Sequence, residues 1–343
     1  LRGLFCRPNM NLPEIFDAFN RLRVLIVGDV MVDSYLWGRV DRISPEAPVP
    51  IVSVQKREKR LGGAANVALN VKALGAEPVL CAVVGADADG QDFLQLLDDS
   101  GLTREGITAS PARVTTIKHR ILAGSQQMLR IDAETDALLQ PDDKQQLAER
   151  IRQLLPTCDV LVFEDYDKGV LDEMLIAEVT AQARERNIPI VVDPKKRNFL
   201  HYRHATLFKP NLKELRDGLK IDFGAGNRTE MEAAVTQLKD RLQLGGVLLT
   251  LSERGVFIDL GGEKHHLPAH VRQIADVSGA GDTVVSIAAV CLALRLPPAL
   301  IAELSNLGGG LVCEYAGVVP VDKQQLLAEA MGSPHPASPK GEE

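Results

Sequence analysis

Apolar residues in this chain gather in short, nearly unbroken runs separated by segments of helical spacing. Arg23–Gly28 (RVLIVG) and residues 78–84, 160–163, 188–192 and 206–208 are aliphatic or β-branched almost throughout, as expected of strands buried on both faces. Between them, 63–74, 142–155 and 171–186 repeat apolar residues at three- and four-residue spacing, the pattern of a helix with one buried side. Alternation of the two patterns predicts an α/β fold, a mostly parallel central sheet with helices on both faces.

Two stretches depart from that rhythm. Residues 48–54 (PVPIVSV) and 115–131 alternate apolar with polar positions and have no helix between their strands. They predict a small β-sheet lid inserted into the body, built from segments at about 36–60 and 112–133. Residues 246–267 read as an antiparallel hairpin added to the main sheet, with turns at Gly255 and at Gly261-Gly262. Helices over 280–294 and 298–315 follow, then a short terminal one. No internal repeat or linker divides the chain, so one domain is expected over 10–331. Met10 opens a cleaner amphipathic segment than 1–9, and 332–343 lacks a hydrophobic face, as a disordered tail does.

Composition narrows the possibilities. Of 343 residues, 45% are hydrophobic, enough for a large core. The net charge of −7 argues against broad electrostatic attraction to nucleic acid or to anionic membranes. Apolar runs stay at strand length, far below the roughly 18 residues a membrane helix needs, and no basic-then-apolar leader opens the chain. A cytoplasmic protein without nucleic-acid or membrane partners is expected. Five cysteines lie far apart with no CxxC pair, which reads as buried reduced thiols.

Candidate chemistry concentrates in two glycine motifs. Residues 276–283 (DVSGAGDT) precede an apolar helix. Gly279, Ala280 and Gly281 allow a tight turn that exposes backbone N–H groups at a helix start, an anion hole suited to a phosphoryl group in transfer. Asp282 lies beside that hole, placed to take a proton from an incoming hydroxyl. The motif is neither a Walker A loop, since no GxxxxGK[ST] occurs, nor a dinucleotide fingerprint, since Val284 stands where a third glycine is needed. In the second motif Gly62 and Gly63 open a helix and permit close approach of a polar ligand, with Asn66 one turn in and able to bond a sugar hydroxyl.

The two motifs in this order, with Asn211-Leu-Lys-Glu214 between them, resemble the two-part signature of the ribokinase-like (pfkB) sugar kinases, over about 23–319. That resemblance implies ATP and Mg²⁺ as cofactors and Asp282 as the general base. It implies that Asn211 and Glu214 organise the metal and phosphates, Glu214 through water, and that Lys195 balances phosphate charge. Ser252 and Gly255 would border the nucleotide, and Asn306 would face adenine.

A narrower set resembles the kinases that phosphorylate D-glycero-D-manno-heptose 7-phosphate at C1 in lipopolysaccharide core synthesis. It comprises Asp29 and Asp33 after the first strand, the segment RISPEAPVP at 42–50, TTIKHR at 115–120, QQMLRID at 126–132, Asp165-Tyr-Asp-Lys168-Gly169 and Asp193-Pro-Lys195. Asp29, Asp33 and Asp165 are expected at sugar hydroxyls. A sugar already carrying a phosphate calls for cations, and Lys118, Arg120, Lys168 and Lys195 lie in segments able to converge on one anion. A homodimer through the lid is expected, with Arg120 or Gln127 reaching a neighbouring site.

Three positions leave the pattern: Leu251 where Arg is expected, the glycine-rich 306–310, and Glu164-Asp-Tyr-Asp167 in place of the usual SDYA. The heptose kinases are often fused to a nucleotidyltransferase bearing an HxGH motif. His201-Tyr-Arg-His204 has Arg where that motif needs Gly, so both histidines read as loop residues and kinase chemistry alone is expected.

Overall fold

The computed structural model describes residues 10–332 other than 125, 225 and 271. The expectations for 1–9 and for the tail from 333 lie outside the described residues.

The chain enters through α1 (Leu12–Phe19), held at its start by a reciprocal Asn11–Glu14 capping box, and passes into β1 (Arg23–Gly28). It then leaves the main body along two long strands, β2 (Val30–Ile43) and β3 (Pro50–Gly63), and returns in α2 (Ala64–Ala73), β4 (Glu77–Gly85), α3 (Ala88–Asp99) and β5 (Ile107–Ser110). A second excursion forms β6 (Ile117–Ala123) and β7 (Gln126–Ala133). Next come α4 (Pro141–Leu154), β8 (Val160–Glu164), α5 (Glu173–Glu185), β9 (Ile190–Asp193), the two-residue β10 (Leu207–Phe208), α6 (Leu212–Leu219) and α7 (Arg228–Leu242). The chain closes with β11 (Gly246–Thr250), β12 (Val256–Leu260), β13 (Glu263–Leu267), α8 (Ala280–Ala293), α9 (Pro298–Val312) and α10 (Lys323–Ala330).

Nine strands form the central sheet in the order β13-β12-β11-β10-β9-β8-β1-β4-β5. All neighbours from β11 to β5 are parallel, and β12 and β13 add the antiparallel hairpin expected at 246–267. Side chains alternate across the sheet: in β1, Val24 and Ile26 enter a core with α1, α2, α8, α9 and α10, whereas Leu25 and Val27 enter one with α4, α5 and α7. Each buried Val, Leu or Ile there contributes about 1.5–3 kcal/mol relative to exposure, which explains why these strands read as continuous apolar runs.

The small separate sheet has the order β3-β2-β6-β7 and overlaps the stretches 36–60 and 112–133. It consists of two antiparallel hairpins joined by a parallel β2–β6 pairing. β2 is longer than its sequence pattern suggests, because Val30–Tyr35 lie buried against the body while 39–43 project into solvent. Among the described residues, no helix is long and apolar enough to cross a membrane.

Parallel register places chemistry at one edge. Gly28 of β1 pairs with Glu164 of β8, and Glu164 pairs with Asp193 of β9. Phe208 of β10 pairs with Val192, which sets Lys209 beside Asp193. The carboxyl ends of these neighbouring strands therefore present Asp29, Glu164, Asp193 and Lys209 side by side, where open α/β sheets bind ligands.

Candidate active site

The first turn of α8 closes over those strand ends. Gly279 has φ +81°, a left-handed conformation that a side chain would strain, and it turns the chain so that Ala280 and Gly281 begin the helix. Asp282 lies in this first turn, 6% exposed. Its Oδ2 accepts a 2.7 Å hydrogen bond from Asn66 Nδ2 and its Oδ1 a 2.7 Å bond from the Tyr166 hydroxyl. Burial pushes its pKa up to about 6; Asn66 and Tyr166 oppose that shift, Asp193 adds to it and Lys209 reduces it. A carboxylate held in one orientation with a pKa near neutrality suits a general base. Burial and the surrounding carboxylates hold the Tyr166 pKa well above its ordinary value, so its hydroxyl stays a donor.

Asn66 is fully buried at the start of α2, and its amide is directed at Asp282 rather than toward an open face. Its amide therefore holds the Asp282 carboxylate in place, and a sugar-hydroxyl contact from Asn66 remains a proposal. Asn70, one turn on, bonds the Asn66 carbonyl at 3.0 Å and accepts from the Thr283 hydroxyl at 3.0 Å, tying α2 to α8. Gly62 and Gly63 end β3 just before α2, and a side chain on Gly62 would collide with the Asp33 carboxylate.

Two further acidic candidates are engaged within the fold. Asp29 is 1% exposed and accepts backbone N–H bonds from Tyr166 at 2.9 Å, Lys168 at 3.1 Å and Val170 at 3.0 Å. These bonds shape the 166–170 loop, which carries Tyr166. Asp165 is also 1% exposed and accepts from Asn198 at 3.0 Å and from the Tyr202 hydroxyl at 2.6 Å, anchoring the same loop from beneath. Asp33 pairs with Arg120, whose guanidinium lies 5.3 Å from the Tyr35 ring centre.

The four expected cations pair with different carboxylates, two of them with the same one. Lys118 and Lys168 share Glu134, at 2.9 and 2.8 Å, and Lys118 also reaches Asp132 at 3.0 Å. Arg120 serves Asp33. Lys195 pairs with Glu214 at 3.1 Å and approaches Asp193 at 3.5 Å, with its ammonium 5.2 Å from the Tyr166 ring centre. Burial opposes the Lys195 charge, yet Asp193, Glu214 and Glu164 hold its pKa above that of an ordinary lysine. Gln127 is exposed on β7.

Asn211 caps α6 and forms a reciprocal capping box with Glu214, each bond 2.8 Å. The Asn-x-x-Glu spacing is thus a helix start first, and it points Glu214 Oε1 at Lys195. Ser252 (φ +54°) and Gly255 (φ +87°) lie in the turn between β11 and β12. Asn306 donates to the Pro268 carbonyl at 2.8 Å, so its amide ties α9 to the segment after β13.

Sequence reasoning passed over Tyr166, Asn70, Glu164, Asp193 and Lys209 as site residues. Lys209 Nζ lies 2.8 Å from Asp193 Oδ2, and both side chains are 4% exposed. Although burial opposes ionisation of either, Lys195 and then Lys209 hold Asp193 below its ordinary pKa, and Asp193 holds Lys209 above its own. Oxygens of Glu164, Asp193 and Asp282 all lie within 4.8 Å of one another, a geometry that a cation can bridge. A signal for Lys209 was available: a lone lysine closing an apolar strand needs a buried partner.

Comparison with known proteins supplies the context. The model of the pfkB family of carbohydrate kinases matches residues 21–324. The chain is 42% identical over 322 residues to the bifunctional protein HldE of Rhodospirillum rubrum, covering 94% of this chain and 64% of that protein. It is 40% identical over 318 residues to HldE of Trichlorobacter lovleyi, covering 92% of this chain and again 64% of the relative. The chain thus spans less than two thirds of the length of these curated relatives. Its fold is similar to phosphofructokinase-2 from Escherichia coli, with a TM-score of 0.76 at 18% identity, covering 90% of this chain and 99% of that one. It is also similar to Arabidopsis thaliana ribokinase, with a TM-score of 0.68 at 17% identity, covering 89% and 98%.

Proposed function

Because this chain belongs to the pfkB family of carbohydrate kinases, we propose that it transfers the γ-phosphoryl group of ATP to the C1 hydroxyl of D-glycero-D-manno-heptose 7-phosphate in the cytoplasm. The observation that carries the transfer chemistry is Asp282, buried in the first turn of α8 behind Gly279–Gly281 and oriented by Asn66 and Tyr166. The heptose assignment is supported by the similarity to HldE and by two lysines, Lys118 and Lys168, gathered around Glu134.

In this reading Asp282 takes the proton of the attacking hydroxyl as its oxygen bonds to the γ-phosphorus, and the bond to the ADP oxygen breaks. The amides of Ala280 and Gly281 face the charge that develops on the phosphoryl oxygens, and Lys195 and Lys209 add positive charge at the same edge. Ser252, Gly255 and Asn306 border the nucleotide, with Asn306 acting on adenine after releasing Pro268. A divalent cation suits this edge, where carboxylates outnumber ammonium groups; Asn211 and Glu214 would position Mg²⁺ through water, and it would neutralise phosphate charge. The small sheet acts as a lid that excludes water from the phosphoryl group. It also exposes Ile43, Val49, Leu129 and Ile131, each more than half accessible, and we assign this apolar surface to a homodimer.

The deciding experiment is ADP release with Mg·ATP and the heptose 7-phosphate, run beside fructose 6-phosphate, fructose 1-phosphate and ribose. Turnover confined to the heptose, with a 1,7-bisphosphate product, is expected. Turnover of another sugar alone would discard the heptose assignment and leave the role of Asp282 intact.

A further inference from the structure

Glu164 has no part in the chemistry described so far. It ends β8, is 0% exposed, and neither of its carboxylate oxygens has a hydrogen-bond partner among the described residues. Asp193 Oδ1 likewise accepts no hydrogen bond. An isolated ionised carboxylate in such a place carries a large desolvation cost unless a proton or a cation offsets it. Oxygens of Asp193 on β9 and Asp282 on α8 lie within 4.8 Å of a Glu164 oxygen, and Asp193 in turn faces Lys195 and Lys209. With Glu214, which shares Lys195, four carboxylates face two ammonium groups, an excess of two negative charges that one divalent cation balances.

We propose that Glu164 and Asp193, with Asp282 as a third oxygen, directly bind a divalent cation at the floor of the active site, independently of nucleotide. All three donors are carboxylate oxygens within 4.8 Å of one another, with no sulfur or imidazole among them, which selects a hard cation such as Mg²⁺ or Mn²⁺. The site differs from the water-mediated role given to Glu214, whose oxygens are engaged by Lys195 and by the Asn211 backbone. It holds whatever the sugar is.

The test is a titration of metal-stripped full chain with Mn²⁺ alone, with free ion read by electron paramagnetic resonance and neither ATP nor sugar present. Wild-type protein is expected to bind one ion per chain, with affinity reduced at least about tenfold in Glu164→Gln and Glu164→Ala. Both variants lose an uncompensated buried carboxylate, so in metal-free buffer they are expected to melt at or above the wild-type temperature. Absence of Mn²⁺ binding by wild type, or equal binding by both variants, overturns the proposal. An acid C=O stretch that persists under saturating Mn²⁺ and vanishes in Glu164→Gln would also overturn it, by assigning the balancing charge to a proton. None of these readouts depends on turnover, so they stand apart from the substrate assignment.

Discussion

Asn66 and Asp282, 216 positions apart, are joined by a 2.7 Å hydrogen bond from the Asn66 amide to the Asp282 carboxylate. The contact couples the two glycine motifs: one carries Asp282, the proposed base, and the other fixes the orientation of its carboxylate. Asp282→Asn keeps the shape and the contacts but removes the proton acceptor. It is expected to lower kcat by about a hundredfold or more while ligand dissociation constants change little. Near-normal turnover in that variant would remove Asp282 from its role.

Tyr166→Phe tests the second contact. Loss of the hydroxyl removes a bond that stabilises ionised Asp282, so the acid limb of kcat/KM is expected to move to higher pH. Asn66→Ala should move it the same way, since Asn66 is the larger of the two stabilising influences. An unshifted limb in both variants would mean that the two side chains only pack the site.

Asp29 ties stability to pH. Burial, with help from Asp165, pushes its pKa up to about 6, although three backbone N–H groups oppose the shift. Between about pH 4 and about pH 6 the folded chain holds a proton that the unfolded chain has released, so this group costs stability as pH rises through that window. Asp29→Asn lacks the effect. The stability gap between wild type and variant should therefore narrow by roughly 1–3 kcal/mol from pH 4 to 7 in denaturant titrations. A constant gap would show that the amides fully offset burial.

Glu134 pairs with both Lys118 and Lys168, the two lysines proposed to receive the sugar phosphate. Replacing it with Gln removes like-charge repulsion and should lower KM for the phosphorylated sugar several-fold without changing KM for ATP. Lys168→Ala should raise the same KM at least about tenfold. Parallel changes in both Michaelis constants would count against a phosphate site there.

Ile43 and Leu129, 61% and 55% exposed on the small sheet, test the dimer. Light scattering should give twice the chain mass for wild type and the chain mass for Ile43→Asp combined with Leu129→Asp. A wild-type monomer at working concentration would remove the dimer and leave the kinase site untouched.

Much of this fold was legible because buried parallel strands need apolar residues on both faces. β1 was anticipated at its observed bounds, Arg23–Gly28, for that reason. β2 was harder to read, since Asp33 and Ser34 lie buried within it and its outer end faces solvent. α6 and α7 escaped notice amid charged residues, although Asn211 and Asn227 cap them.

Local sequence determined the layered α/β order, the glycine turn before α8 and Asp282 as the candidate base, because apolar periodicity and glycine conformation act over a few neighbouring residues. Tertiary structure alone decided that Asn66 and Tyr166 hold Asp282, that Asp29 and Asp165 build a loop, and that Glu164 lies unpaired beside Asp193. Those relations depend on the register of β1, β8, β9 and β10, which brings residues more than a hundred positions apart into a dry interior. There, hydrogen bonding and charge balance determine what each carboxylate can do, and neither is a property of any one segment.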